Sequence, residues 1–263
     1  MFRTAYIAWL QLESLCRQRG VTFQWELIVA EELGDETFGE AQVNRYQKRL
    51  QEVGCTRIDY TPLETWITLG AKWKLLIERS SPSSILFFLQ GADSYSAPQR
   101  LHTLYTLYND HPTGDWFIPF TGIDYDLSSG KALYRDPANL KILNKADIHG
   151  NAASSSLLRD AAMLFKTETM VSLVDGKIWA YCKSVRPQGM KVIRDSTDMW
   201  KYGFSLNGFG NISDPATIFS PQFRSLFIPY PYNLADTIPK DILDRLSSCI
   251  QFLPLHTRKV PPY

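Results

Sequence analysis

The sequence is short of net charge. Lys plus Arg is 28 and Asp plus Glu is 27, which leaves +1 over 263 residues. No bulk field is available to hold a polyanion or an anionic bilayer, so nucleic acid is not an expected partner. Cysteine is scarce. Cys16, Cys55, Cys182 and Cys249 lie far apart, with no Cys-x-x-Cys and no metal-finger spacing. Reduced, buried thiols in a cytoplasmic protein are the expectation. No apolar run reaches the roughly 18 residues of a membrane span, so no transmembrane segment is expected. The start lacks a basic stretch followed by an apolar one, which argues against a signal peptide. There is no Gly-rich phosphate loop near the start and no Gly-x-Ser-x-Gly elbow. Nucleotidyl transfer on such a loop and Ser-His-Asp hydrolysis are therefore unsupported.

What is present is ordinary globular material, 44% hydrophobic and 21% charged, with a high aromatic share of 13%. The length favours one domain over residues 1–263. Ile7, Leu10, Leu12 and Leu15 recur at helical spacing, which predicts a helix over Phe2–Arg19 stopped by Gly20. Trp25–Ala30 reads as a buried strand with Glu31 and Glu32 at its carboxyl end. An amphipathic helix over Phe38–Val53, a short strand at Arg57–Tyr60 and a helix over Leu69–Arg79 follow. Ile85–Leu89 is five apolar residues in a row, the pattern of a strand buried on both faces. Strands alternating with helices predict an α/β fold with a mostly parallel central sheet flanked by helices.

Beyond residue 115 the pattern changes. Trp116–Phe120 and Ala132–Tyr134 bracket the turn signal Asp126–Gly130, which predicts a hairpin on a mixed edge. A strand at Lys141–Leu143, helices over Ser154–Phe165 and Thr169–Ser184, and a last helix over Ile238–Phe252 with Pro239 near its start complete the expectation. Tyr202–Tyr232, with Gly, Asn and Pro throughout, reads as loop.

In parallel sheets ligands bind beyond the carboxyl ends of the strands. Two acidic sequences stand there, Glu31-Glu32 and Gln90-Gly91-Ala92-Asp93. The second belongs to Leu89–Leu101, a strand end, a turn holding an acid, and a helix entered through Pro98-Gln99-Arg100-Leu101. This stretch resembles the strand–turn–helix of family 2 glycosyltransferases, which have the GT-A fold. Asp93 matches the second acid of that family's Asp-x-Asp motif, and Gly91 stands at the first. The family's opening strand has no counterpart here. Otherwise the resemblance runs in order over about residues 4–185.

The resemblance implies a single glycosyltransferase-like domain. About 1–110 would be its nucleotide-binding half, about 111–200 its acceptor and catalytic half, and about 201–263 a closing loop and helix. It implies transfer of a sugar from a nucleotide-diphosphate donor to a glycan, lipid-linked or other hydroxyl acceptor, with inversion. Glu31, Glu32, Lys72 and Asp93 would hold the donor. A Mg²⁺ or Mn²⁺ ion with Asp93 and His149 as candidate ligands would neutralise the leaving diphosphate. Asp175, set among Val174, Ile178 and Trp179, is the candidate general base. Each residue also has a plainer role open to it: a solvated loop acid for Glu31 and Glu32, an exposed helix cation for Lys72, a turn or helix cap for Asp93 and Asp175, a structural histidine for His149. A non-catalytic carbohydrate- or nucleotide-binding protein on the same fold is the alternative.

Overall fold

The computed structural model describes residues 7–34, 37–119, 123–126, 131–135, 153–155, 191–195, 202–207, 227–229 and 238–249. The fold is mixed α/β. The chain forms α1 (Ala8–Leu15), β1 (Trp25–Glu32), α2 (Glu40–Asn44), α3 (Gln47–Glu52), β2 (Cys55–Leu63), α4 (Leu69–Arg79), β3 (Leu86–Phe88), β4 (Ser94–Ser96) and α5 (Arg100–Asp110). Then come β5 (Trp116–Pro119), β6 (Ile123–Asp126), β7 (Lys131–Arg135), β8 (Ala153–Ser155), β9 (Val192–Asp195), β10 (Gly203–Asn207), β11 (Phe227–Pro229) and α6 (Lys240–Cys249). Among the described residues no helix is long and apolar enough to cross a membrane.

β1 and β2 are parallel, with Glu26 opposite Arg57 and Glu32 opposite Leu63. Alternation gives the pair two faces. Leu27, Val29, Ile58 and Tyr60 pack with Leu12 and Leu15 of α1, Val43 of α2 and Leu50 of α3. The other face turns to α4, where Arg79 of the helix reaches Asp59 and Lys72 reaches Glu32. β2 runs on through Pro62, which the sequence places after the strand. Among the described residues β2 pairs on one side only, and an edge strand tolerates a residue without an N–H.

The helix predicted over Phe38–Val53 is two short helices. The break is shallow: Arg45 and Tyr46 keep right-handed backbone, and Tyr46 N donates to Val43 O three residues back. The helix predicted at Leu69–Arg79 has those bounds, and Thr68 caps it by accepting from Ala71 N at 3.2 Å.

The single, mostly parallel central sheet expected from the sequence is replaced by three sheets among the described residues. They run β1-β2, β11-β7-β6-β10-β4 and β3-β8-β5-β9. The parallel pairs are β1–β2, β6–β10 and β5–β9, and the other pairings are antiparallel. β3 is three residues long, each half-buried, and its hydrogen-bonded neighbour is β8 rather than β1. Phe88 still packs into the β1–β2 core and stacks on Phe23, with ring centroids 6.0 Å apart. The hairpin exists, formed by β6 and β7; Trp116–Pro119 forms β5, which belongs to the other sheet.

Two further expectations are overturned. Ser154 and Ser155 lie in β8, paired to β3 and β5, not at the start of a helix. Tyr202–Tyr232 is not all loop, because it contributes β10 and β11. Gly203, read as a loop glycine, has φ +103, and a Cβ there would stand 1.9 Å from the Tyr95 carbonyl. The glycine marks the close approach of β10 to β4. Tyr95 and Phe204 then stack at 5.0 Å in a core that α1 and α6 close with Trp9, Leu10, Ile242 and Leu246. The predicted strand at 141–143, the helix at 169–184, and His149 and Asp175 lie outside the described residues.

Candidate functional site

The parallel β1–β2 pair delivers Glu31 and Glu32 to its carboxyl end on opposite faces. Glu31 is 1% exposed and fully engaged. Its carboxylate accepts from Phe38 N at 2.7 Å, from Gly39 N at 2.9 Å and from the Tyr60 hydroxyl at 2.8 Å. Burial and the neighbouring Glu31 carboxylate push the Tyr60 hydroxyl well above its ordinary pKa. Glu31 thus braces the chain entering α2.

Glu32 faces α4. Its Oε1 lies 2.7 Å from Lys72 Nζ, and the two side chains are 6% and 14% exposed. The amide of Ile67 reaches the same oxygen at 3.4 Å. The second oxygen, Oε2, is buried and accepts no hydrogen bond among the described residues. The hydroxyl of Thr61, one alternation back on the adjacent strand and on the same face, is also buried without a partner among the described residues. Two such groups side by side are uncommon in a folded chain, and each calls for a polar ligand or an ordered water. Trp66, the chain neighbour of Ile67 in the connection from β2 to α4, is 53% exposed, and Leu33 is 46% exposed. Glu32, Lys72, Thr61 and Trp66 therefore combine an acceptor, a cation, a hydroxyl and an aromatic face. Glu32 and Lys72 were legible as candidates. Thr61 and Trp66 were not, because one sits mid-strand and the other in a short connection without a motif.

Asp93 occupies the turn between β3 and β4, neither of which belongs to the β1–β2 sheet that carries Glu31 and Glu32. Ser94 N donates to Gly91 O at 3.3 Å across the turn, and the Asp93 carbonyl accepts from Leu206 N of β10 at 2.8 Å. A Cβ at Gly91 would stand 2.5 Å from Asp93 Oδ1, so the Asp93 carboxylate lies where a side chain at 91 would begin. Among the described residues no group of three or more His, Cys, Asp or Glu gathers to form a metal cage. One carboxylate suits a Mg²⁺-type ion that takes its remaining ligands from phosphate oxygens and water.

Behind the turn, Arg100 is completely buried. Burial pushes its pKa down to about 9. A separate, open groove of about 530 Å³ lies along α5, lined by Arg19, His102, Thr103, Thr106, Asp110 and Asp195 among others. Tyr202 donates to Asp195 there at 2.8 Å. No family model and no curated protein matches the chain.

Proposed function

We propose that the chain is a GT-A-like glycosyltransferase of the family 2 type, moving a sugar from a nucleotide-diphosphate donor to an acceptor hydroxyl with inversion. The observation that carries this reading is the β1–β2 unit. A parallel pair ends in a buried carboxylate with one oxygen unpartnered among the described residues, a lysine beside it and an exposed tryptophan at the rim. Carboxyl ends of parallel strands are where α/β folds take nucleotides. In this reading Glu32 accepts from the nucleoside, Lys72 and Thr61 supply donors, and Glu31 keeps the loop shaped.

The turn after β3 would face the diphosphate, with Asp93 sharing a Mg²⁺ or Mn²⁺ ion with its oxygens. Such an ion neutralises charge on the leaving group. The acceptor oxygen attacks the anomeric carbon, the bond to the diphosphate oxygen breaks, and the diphosphate leaves with the electron pair. Asp175 takes the acceptor proton in this reading. Positioning and stabilisation of the leaving group supply most of the rate. A second reading, a non-catalytic carbohydrate- or nucleotide-binding protein, is favoured by the single carboxylate of the Gly91–Asp93 turn.

The test is a thermal-shift series with uridine, guanosine, thymidine and cytidine diphosphates, with and without Mn²⁺. A ligand at 100 times its Kd adds about 2.7 kcal/mol. That is a rise of roughly 5–10 °C for a chain of this size. A shift with one nucleotide, together with sugar transfer to an acceptor panel, supports the enzyme. A shift without transfer by the intact chain supports the binding protein. No shift with any of the four removes the enzyme and the nucleotide-binding protein, and a mono- and oligosaccharide panel in the same assay then decides the carbohydrate-binding one.

A further inference from the structure

We propose that Arg100 is the positioning residue of the Asp93 turn, tying the end of β3 to β4 so that residues 90–95 hold one shape. Arg100 opens α5, and its guanidinium forks. One NH₂ donates to Ser96 Oγ at 2.9 Å, and the other donates to the Leu89 carbonyl. Ser96 Oγ donates onward to Gln90 Oε1 at 2.9 Å, and the Gln90 amide donates to the Ser94 carbonyl at 3.3 Å. The far side is also fixed: Ser96 N donates to Ser14 Oγ of α1 at 3.1 Å, and Leu206 N of β10 donates to the Asp93 carbonyl at 2.8 Å. Both ends of the turn therefore meet at one buried cation, and its apex is pinned by a neighbouring strand.

Taking a guanidinium fully out of water is costly, and a fold keeps one when its directed donors hold groups that nothing else holds. A planar fork suits two acceptors at fixed spacing, and a lysine ammonium does not. The turn carries one carboxylate and a glycine, so backbone shape is what aims Asp93. The purpose assigned to that shape rests on the donor-site reading, but the tie itself does not.

Hydrogen exchange, read by mass spectrometry or NMR, tests the tie on the intact chain. The variants are Ser96→Ala, Arg100→Lys and Arg100→Met. Amides of residues 90–95 and of Leu206 are expected to exchange about tenfold faster or more, the weight of one lost buried hydrogen bond. Amides of β1 and β2 should not change. The double variant Ser96→Ala/Arg100→Met should loosen the turn by less than the sum of the two single variants, since they share the Arg100–Ser96 contact. If Arg100→Met does not fold, Ser96→Ala and Arg100→Lys carry the test. Unchanged exchange at 90–95 in those two variants overturns the proposal, as does equal acceleration throughout β1 and β2.

Titration of the same variants with nucleoside diphosphate and Mn²⁺ separates the two claims. A native chain that binds no nucleotide defeats the donor-site reading and leaves the exchange result standing. A native chain that binds, with variants that bind equally well despite a loosened turn, defeats the assignment of Arg100 as what aims Asp93.

Discussion

The Glu32–Lys72 pair predicts an unusual pattern of stability and binding. Lys72 Nζ and Glu32 Oε1 are 2.7 Å apart, with side chains 14% and 6% exposed, and Glu32 Oε2 has no partner among the described residues. Lys72→Met removes the cation and strands a buried carboxylate, and breaking such a pair costs about 3–5 kcal/mol. For a chain of this length that lowers Tm by roughly 10 °C. Glu32→Gln/Lys72→Met replaces the pair by neutral groups of similar shape and should recover most of the loss, because a buried ion pair and its neutral counterpart are often close in stability. Nucleotide binding should not recover with it, since the carboxamide carries no charge and one acceptor oxygen in place of two, and the Lys72 donor is gone. Urea unfolding of the native chain, both single variants and the double variant gives the coupling free energy. Thermal shift with the nucleotide gives binding. A Lys72→Met variant as stable as the double variant would refute the claim that the pair is buried and interdependent. A Glu32→Gln variant that binds nucleotide like the native chain would refute its role as the acceptor.

Three further outcomes are expected. Hydrogen bonds from Arg49 and Arg17 outweigh burial and hold the Glu13 carboxyl at about 2, below its ordinary 4.5, so its contribution is present above pH 4.5 and is lost as pH falls toward 2. Glu13→Gln should cost about 1–2 kcal/mol at pH 7 after screening at the partly exposed arginines, and less than half of that in urea unfolding at pH 3. Gly203→Ala places a Cβ 1.9 Å from the Tyr95 carbonyl at φ +103 and should destabilise by about 3 kcal/mol or more, with loss of β10–β4 amide protection in hydrogen exchange. Asp93→Asn should leave the melt of the unliganded chain within about 1 kcal/mol while removing any Mn²⁺-dependent rise with nucleotide, and a retained Mn²⁺ effect would move the ligand elsewhere.

Local elements were legible where local chemistry decides them. The helix at Leu69–Arg79 carries its own cap in Thr68, and its Ser80 hydroxyl closes the last turn by donating to Ile77 O at 2.6 Å. The strand at Trp25–Glu32 announces itself by an apolar run ending in acids. Which strand lies beside which is not local. The run Ile85–Leu89 looks like the centre of a sheet, yet its strand is three residues long and pairs with Ala153–Ser155, where the sequence predicts the start of a helix at Ser154. Composition misled in the same way at Gly203, where glycine answers a carbonyl on another strand.

The candidate site divides along the same line. The positions of Glu31 and Glu32 at a strand end were legible, but their division of labour was not. Adjacent residues on a strand point to opposite faces, so one acid had to meet α2 and the other α4. What each meets depends on residues 7 to 40 positions away: Phe38, Gly39 and Tyr60 for Glu31, and Lys72 for Glu32. Glu31, with three donors, is chemically spent. Glu32, with one oxygen on Lys72 and the other unpartnered among the described residues, keeps the capacity to recognise a ligand. The same logic separates Asp93 from Arg100. The acid on the turn is visible in the sequence as a motif, whereas the arginine reads as one more helix residue until the fold buries it against Leu89 and Ser96. Motif positions mark where chemistry can occur. The partners that hold them in place come from contacts that no spacing rule encodes.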